Sequence, residues 1–263
     1  TRLSIQSASE LVDEFSDGVW FVPLASLQAA EAIVPAMAKT LDLSFSMKEE
    51  HPRRQLMDFL REKRLVLILD NYEHLLDEGT GLIGDLLLNA KDLKLLVTSR
   101  ERLNLQGEQL YPVSGMRTPD AADVDAWVDL EERSRTFSAL QLFVERARRV
   151  RPDFRLTQDN LRAVTEICRL VDGMPLGIEL AAGWLGVLTP GEIAAEVARS
   201  LDILATDLQD VTDRQSSLRA VFESSWKLLT AGEQKIFQAL TVFRGSFSRE
   251  AAETVSGASP RLL

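Results

Sequence analysis

Cysteine, histidine and long apolar runs are scarce in this sequence, and each scarcity excludes a class of site. A single cysteine, Cys168, excludes an intrachain disulfide and a metal site built on several cysteines. Two histidines, His51 and His74, argue against a multi-histidine metal centre. No apolar run approaches the roughly 20 residues that cross a bilayer, and no secretory signal pattern opens the chain. These features predict a protein of the reducing cytoplasm without a membrane segment.

Basic residues are also in the minority. The 263 residues include 30 Lys and Arg against 40 Asp and Glu, for a formal net charge of -10. An acidic surface repels phosphate backbones, so direct binding of nucleic acid by this chain is not expected. Residues 145–151 form a local basic run. A solvated helix face with glutamate partners is favoured for that run over a phosphate-binding site.

The chain divides into three regions with different patterns. Up to residue 117, short apolar runs alternate with helical patterns, which indicates a parallel sheet covered by helices on both faces. Residues 118–205 show helical periodicity only. Residues 206–263 show three short helices and a small β element at 243–247, which suggests a winged helix. The predicted fold is therefore an α/β domain (1–117), a helical domain (118–205) and a winged-helix-like domain (206–263).

Individual elements follow from apolar runs and capping residues. Thr189 and Thr230 each precede a glutamate by three residues, the pattern of a capping box, and Ser248 can cap a further helix. Four strands are predicted, at 19–24, 65–69, 93–98 and 109–113. Four helices are predicted between and before them, at 5–15, 29–41, 53–61 and 81–89.

Two polar residues follow neighbouring predicted strands. Asp70 comes directly after the apolar run 65–69, and Arg100 follows the run 93–98. Ligands of open parallel sheets bind at the carboxyl ends of the strands. An aspartate there can hold the water shell of a Mg²⁺ ion that bridges nucleotide phosphates, and an arginine can reach a terminal phosphate. The alternatives are an ordinary Asp-Asn turn and a solvated surface arginine.

Three segments together resemble the STAND class of signalling P-loop NTPases. They read LVLILDNYEHL, LKLLVTSRERLNLQGEQLYPV and DGMPLGIELAAGWL, in that order. More narrowly, the chain is similar over almost its whole length to bacterial regulators that carry this NB-ARC-like ATPase before a winged helix and helical repeats. The resemblance implies a parallel P-loop NTPase sheet with flanking helices, followed by a helical domain and a winged-helix domain.

The resemblance also implies roles for single residues. Asp70 matches the Walker B aspartate of the family, and Asn71 stands where many members have a second acid. Arg100 matches the sensor arginine. Pro175 matches the proline of a Gly-Leu-Pro-Leu motif that packs near the adenine. Glu73 is a candidate to polarise the attacking water, although a carboxylate that stabilises a helix start is favoured for it.

The first residues match the end of a phosphate-binding loop. Members of the family read Gly-Gly-x-Gly-Lys-Thr-Arg-Leu-Ala before a helix, and this chain opens with Thr1-Arg-Leu-Ser4. Thr1 then matches the hydroxyl that binds the metal ion. The glycines, the lysine and the preceding strand are expected upstream of Thr1. Since those groups form most of the phosphate cradle, the chain by itself is expected to bind nucleotide weakly or not at all and to be inactive.

The function implied is a regulatory switch that binds ATP or ADP with Mg²⁺, with slow ATP hydrolysis in the full-length protein. The first expected partner is the nucleotide. The others are the effector domain and the helical-repeat sensor domain of the same chain, and further copies of the protein on activation. Two alternatives stay open. One is an interaction scaffold without catalysis. The other is a DNA-binding regulator that uses the winged helix, although the predicted recognition helix 250–255 is alanine-rich and acidic, which argues against DNA contact.

Overall fold

The computed structural model describes residues 1–46, 51–120, 124, 134–206, 216–243 and 246–259, with residue 224 described by its backbone alone. The chain forms two compact units, Thr1–Pro112 and Val113–Leu263. The second unit contains both regions predicted as helical and winged-helix domains, and their division into two domains stays a prediction. Within the described residues, no helix combines the length and the apolar character needed to cross a bilayer.

The first unit is built on a parallel sheet of three strands in the order β1-β2-β3. The strands are β1 (Val19–Pro23), β2 (Val66–Asp70) and β3 (Lys94–Val97). Every residue of β2 is buried, as expected for a central strand with helices on both faces. Since all three strands run in one direction, their carboxyl ends lie at the same edge of the sheet. The predicted α/β class with a parallel sheet is confirmed.

Four helices accompany the sheet, and the apolar faces of the last three form one core with it. They are α1 (Arg2–Ser9), α2 (Ile33–Thr40), α3 (Pro52–Leu60) and α4 (Leu76–Asn89). The prediction placed the start of α4 too late, at residue 81, whereas the helix begins at Leu76. Gly79 lies inside the helix, where an added Cβ would meet the Tyr72 hydroxyl at 2.6 Å. Close packing on Tyr72 therefore explains a glycine at this helical position.

The predicted fourth strand, residues 109–113, is wrong. The structure shows no regular element there, and Leu110, Tyr111 and Val113 are 53%, 83% and 71% exposed. A strand needs a neighbour that pairs with its backbone groups. Within the described residues, β3 pairs only with β2 and no strand lies beside residues 109–113. An apolar sequence alone was therefore not sufficient to form the strand.

The second unit is helical in its described parts. Its main core is formed by buried side chains such as Phe143, Leu161 and Ile178. The helices are α5 (Ser138–Val150), α6 (Gln158–Leu170), α7 (Pro175–Gly183), α8 (Pro190–Arg199), α9 (Leu218–Trp226), α10 (Ala231–Leu240) and α11 (Arg249–Ser256).

Side-chain caps fix the starts of the three helices for which the sequence predicted them. Thr189 and Thr230 form the predicted capping boxes with Glu192 and Glu233, and Ser248 accepts a hydrogen bond from the Ala251 amide. These predictions are confirmed, because the pattern states which amide each side chain will satisfy. Residues 244 and 245 of the predicted β element 243–247 lie outside the described residues.

A close backbone approach joins the end of α6 to the segment before α5. The Met116 amide donates a hydrogen bond of 2.8 Å to the Gly173 carbonyl oxygen. Gly173 has a positive φ of 64°, and an added Cβ would meet the Met116 carbonyl oxygen at 2.2 Å. Both features require glycine at this position. The same turn leads directly into α7, which begins at Pro175.

Candidate functional site

Asp70, the last residue of β2, is a nearly buried carboxylate. It is 5% exposed. Its Oδ1 accepts a hydrogen bond of 2.8 Å from the Thr98 hydroxyl. The Thr1 hydroxyl lies 2.8 Å from Oδ1 and 2.7 Å from Oδ2. A buried carboxylate must accept hydrogen bonds or pair with a cation. Here the hydroxyl groups of Thr98 and Thr1 provide the hydrogen bonds.

Thr1 reaches Asp70 because it immediately precedes α1. The Ser4 hydroxyl donates to the Thr1 carbonyl oxygen at 2.7 Å, which joins Thr1 to the first turn of that helix. The backbone nitrogen of Thr1 lies 3.3 Å from Asp70 Oδ1. The structure thus brings together the two residues that the sequence proposed as metal ligands. Their ligand role stays a prediction.

Thr98 belongs to this site, and the sequence analysis missed it. Its hydroxyl donates to Asp70 and accepts a hydrogen bond of 3.0 Å from the backbone amide of Asn71. The register of the sheet pairs Leu69 with Val97. The next residue on each strand is then Asp70 and Thr98. Thr98 could therefore have been predicted by aligning the carboxyl ends of the two predicted strands, which makes it the neighbour of Asp70.

The turn after β2 is fixed by the same threonine. Asn71 has a positive φ of 65°, a conformation that asparagine tolerates better than most residues. The Tyr72 amide donates to the Thr98 carbonyl oxygen at 3.0 Å. The Asn71 side-chain amide donates to Glu73 Oε1 at 3.3 Å. Residue 71 therefore contributes a strained turn and a side-chain contact, where many members of the resembled family carry an acid.

Glu73 forms an ion pair with Arg100, the other predicted strand-end residue. The Arg100 Nε atom lies 3.5 Å from Glu73 Oε1. The Glu73 side chain is 5% exposed and that of Arg100 is 28% exposed. The sequence suggested two roles for Glu73, a base that polarises water and a carboxylate that stabilises a helix start. Neither role involved Arg100. The pair means that Glu73 holds the guanidinium of Arg100 at the same end of the sheet as Asp70.

Tyr72, which follows Asn71 in this turn, is fully buried in the core of the first unit. Its hydroxyl is buried and, among the described residues, has no hydrogen-bond partner. Burial raises the pKa of Tyr72, because the charged phenolate would lose its hydration. His74 Nε2 lies 3.0 Å from the Leu27 carbonyl oxygen. Neither ring carries a feature that points to catalysis.

The donor atoms at the end of β2 suit a hard cation that is shared with phosphates. Mg²⁺ prefers oxygen ligands, and proteins commonly supply only one or two of them beside phosphates and water. The Asp70 carboxylate and the Thr1 hydroxyl are ligands of this kind, 2.7 Å apart at their closest. Across the described ranges, no group of three or more His, Cys, Asp or Glu side chains could hold a metal ion. The Asp70 and Thr1 oxygens are of the type that Mg²⁺ accepts, and the binding of Mg²⁺ with a phosphate ligand here stays a prediction.

Pro175, the remaining predicted binding residue, lies in the second unit. It is the first residue of α7, where a proline is well placed because its missing amide would have no helical partner. It is exposed. Its proposed contact with an adenine ring stays a prediction.

The basic run 145–151 is partly neutralised within the second unit. Arg146 pairs with Glu179 at 2.9 Å, and Arg149 pairs with Glu145 at 3.3 Å. Arg148 donates from Nε to the Phe154 carbonyl oxygen at 3.2 Å. These contacts support the interpretation as a helix face with glutamate partners.

No family model matches this sequence. Curated proteins of mycobacteria do. The chain is 36% identical over 263 residues to a protein of Mycobacterium bovis whose name makes it a candidate HTH-type transcriptional regulator. The same identity is found with a Mycobacterium tuberculosis protein of the same description. These matches cover 98% of this chain and 27% of the relatives.

A second mycobacterial match covers more of its partner. A protein of Mycobacterium tuberculosis, named only as uncharacterized, is 32% identical over 259 residues, with 97% of this chain and 60% of that protein aligned. The chain thus spans about a quarter to three-fifths of the length of the relatives it matches. The names of the first relatives describe transcriptional regulators, and they oppose the expectation that direct binding of nucleic acid by this chain is unlikely.

Proposed function

We propose that this chain is the core of an ATP- and ADP-binding switch within a regulator of transcription or signalling. The observation that carries the proposal is the network at the carboxyl ends of β2 and β3. In this network, the buried Asp70 carboxylate contacts the Thr1 hydroxyl, and Arg100 forms an ion pair with Glu73. The order of the three motifs in the sequence supports the STAND-type P-loop assignment, and the mycobacterial relatives support regulation of transcription.

In this proposal, Asp70 and Thr1 hold Mg²⁺, which would neutralise charge on the nucleotide phosphates. The nearly buried position of Asp70 keeps bulk water from competing for its oxygens. The chain spans about a quarter to three-fifths of the length of the relatives it matches. The tests below therefore use the full-length protein.

The Glu73–Arg100 pair supplies the means of telling ATP from ADP. A switch requires contacts that differ between its two ligands. The terminal phosphate of ATP would compete with Glu73 for the guanidinium of Arg100, whereas ADP lacks that phosphate. Movement of Arg100 onto the phosphate would leave Glu73 without its ion pair and able to accept a hydrogen bond from water. Slow hydrolysis in the full-length protein is part of this proposal.

Replacing Arg100 with alanine is expected to weaken ATP binding by roughly 10- to 100-fold, the value of a hydrogen bond between charged groups. The affinity for ADP should stay near that of the wild type, since ADP has no group for Arg100 to contact. Calorimetric titrations of the full-length protein with each nucleotide measure both. Arg102→Ala, an exposed arginine two residues away, is the matched control. An equal loss of ATP and ADP affinity would remove Arg100 from the terminal phosphate.

The names of the mycobacterial relatives favour a second candidate, direct DNA binding. In this chain, two arginines of the carboxyl-terminal helices have acidic partners. Arg249 of α11 pairs with Glu253 at 2.8 Å, and Arg219 of α9 pairs with Asp202 at 2.6 Å. A gel shift with the full-length protein and with the Arg219→Ala/Arg249→Ala variant separates the candidates. Salt-sensitive binding lost in the variant would support DNA contact through these helices.

A further inference from the structure

We propose that Thr98 is a positioning residue that orients the Asp70 carboxylate for Mg²⁺. The inference rests on the proposed function, since the orientation matters only if Asp70 holds a metal ion. It adds a residue to the site that neither the strand-end pattern nor the resemblance assigned. Its basis is the set of hydrogen bonds that one threonine makes across the end of β2.

Thr98 joins the last residues of β2 to the turn through its backbone and its side chain. Its amide donates to the Leu69 carbonyl oxygen at 3.0 Å, and its carbonyl oxygen accepts from the Tyr72 amide at 3.0 Å. Its hydroxyl donates to Asp70 Oδ1 at 2.8 Å and accepts from the Asn71 amide at 3.0 Å. The hydroxyl is thus held at a fixed point between the carboxylate and the turn.

The direction of these hydrogen bonds is determined by the donors. A hydroxyl has one proton, and the Asn71 amide can only donate, so the Thr98 proton is directed at Asp70. This contact engages Oδ1, while the Thr1 hydroxyl lies 2.8 Å from Oδ1 and 2.7 Å from Oδ2. Rotation of the carboxylate would break the Thr98 bond within a nearly buried site, where a lost hydrogen bond is costly. Thr98 therefore holds Asp70 in one orientation before a metal ion arrives.

Partners that orient a metal ligand typically contribute about 10- to 100-fold to metal affinity. In the full-length protein, Thr98→Val should raise the Mg²⁺ concentration for half-maximal ATP binding by about that factor. ATP binding in EDTA should be unchanged, because in this proposal Thr98 makes no contact with the nucleotide and affects it through the Mg²⁺ ligand Asp70. Thr98→Ser keeps the hydroxyl and should restore the Mg²⁺ dependence of the wild type. Thr80→Val, whose hydroxyl bonds only within α4, is the matched control.

The outcomes separate the orienting role from a role in folding alone. A wild-type Mg²⁺ dependence in Thr98→Val overturns the inference. So does an equal loss of ATP binding with and without Mg²⁺, or a defect in Thr98→Ser as large as that in Thr98→Val. If thermal denaturation shows that Thr98→Val is unfolded, Thr98→Ala takes its place in the measurement of the Mg²⁺ dependence of ATP binding. A wild-type protein that binds no nucleotide refutes the proposed function itself, whereas these outcomes refute only the role of Thr98.

Discussion

The Asp70→Asn variant of the full-length protein is expected to lose at least about 100-fold in Mg²⁺-dependent ATP binding or turnover, more than typical losses at residues that only support a metal ligand. The physical reason is the exchange of a charged oxygen for an amide nitrogen. The amide is nearly the same size, so the strand and the turn should keep their conformation. Its oxygen can still accept the hydrogen bond from Thr98. Its NH₂ group, however, would face the Thr1 hydroxyl and cannot bind a cation.

The measurement is a titration of ATP at several Mg²⁺ concentrations, together with a phosphate-release assay. Asp92→Asn is the matched control, because Asp92 is exposed and precedes β3 at the opposite end from Asp70. That variant should behave as the wild type does. Full Mg²⁺-dependent binding and turnover in Asp70→Asn would take Asp70 out of the site and leave the scaffold or DNA-binding alternatives.

The second large effect is expected for stability, in the Gly173→Ala variant. Alanine in a left-handed conformation costs roughly 1–2 kcal/mol. Its Cβ would also lie 2.2 Å from the Met116 carbonyl oxygen, so the backbone must move apart. Together these should lower the free energy of unfolding of the second unit by at least about 2 kcal/mol. The turn before α7 would also shift, and with it Pro175.

Thermal or urea denaturation followed by circular dichroism measures this effect. Gly191→Ala is the control, since Gly191 lies in the first turn of α8 with nothing within 4 Å of an added Cβ. That substitution should leave stability unchanged or raise it by up to about 1 kcal/mol. Gly173→Ala as stable as Gly191→Ala would contradict the account of the turn.

The sequence predicted the parts of the fold that depend on local pattern. The apolar runs at 65–69 and 93–98 gave strands within one residue of β2 and β3, because uninterrupted apolar runs suit a sheet covered on both faces. The position of Asp70 at a strand end followed from the same pattern. Capping boxes at Thr189 and Thr230 were predictable for a similar reason, since cap and partner lie in one short segment.

Features that depend on long-range pairing were harder to predict. The Thr98–Asp70 hydrogen bond joins residues 28 positions apart and depends on the register of the sheet. The Glu73–Arg100 pair requires both the register and the path of the turn after β2. The strand predicted at 109–113 failed because strand formation depends on an available neighbour. Local pattern indicated where polar side chains lie along the chain, but the side-chain pairing is a property of the assembled sheet.

The central claim is that a nucleotide and Mg²⁺ bind at the carboxyl ends of β2 and β3. A crystal structure of the full-length protein with Mg²⁺ and a non-hydrolysable ATP analogue tests it most directly. The account predicts the metal ion at the Thr1 hydroxyl and the Asp70 carboxylate, with Arg100 moved from Glu73 to the terminal phosphate. A nucleotide bound elsewhere, or none at saturating concentration with Asp70 still bonded to Thr1, would contradict it.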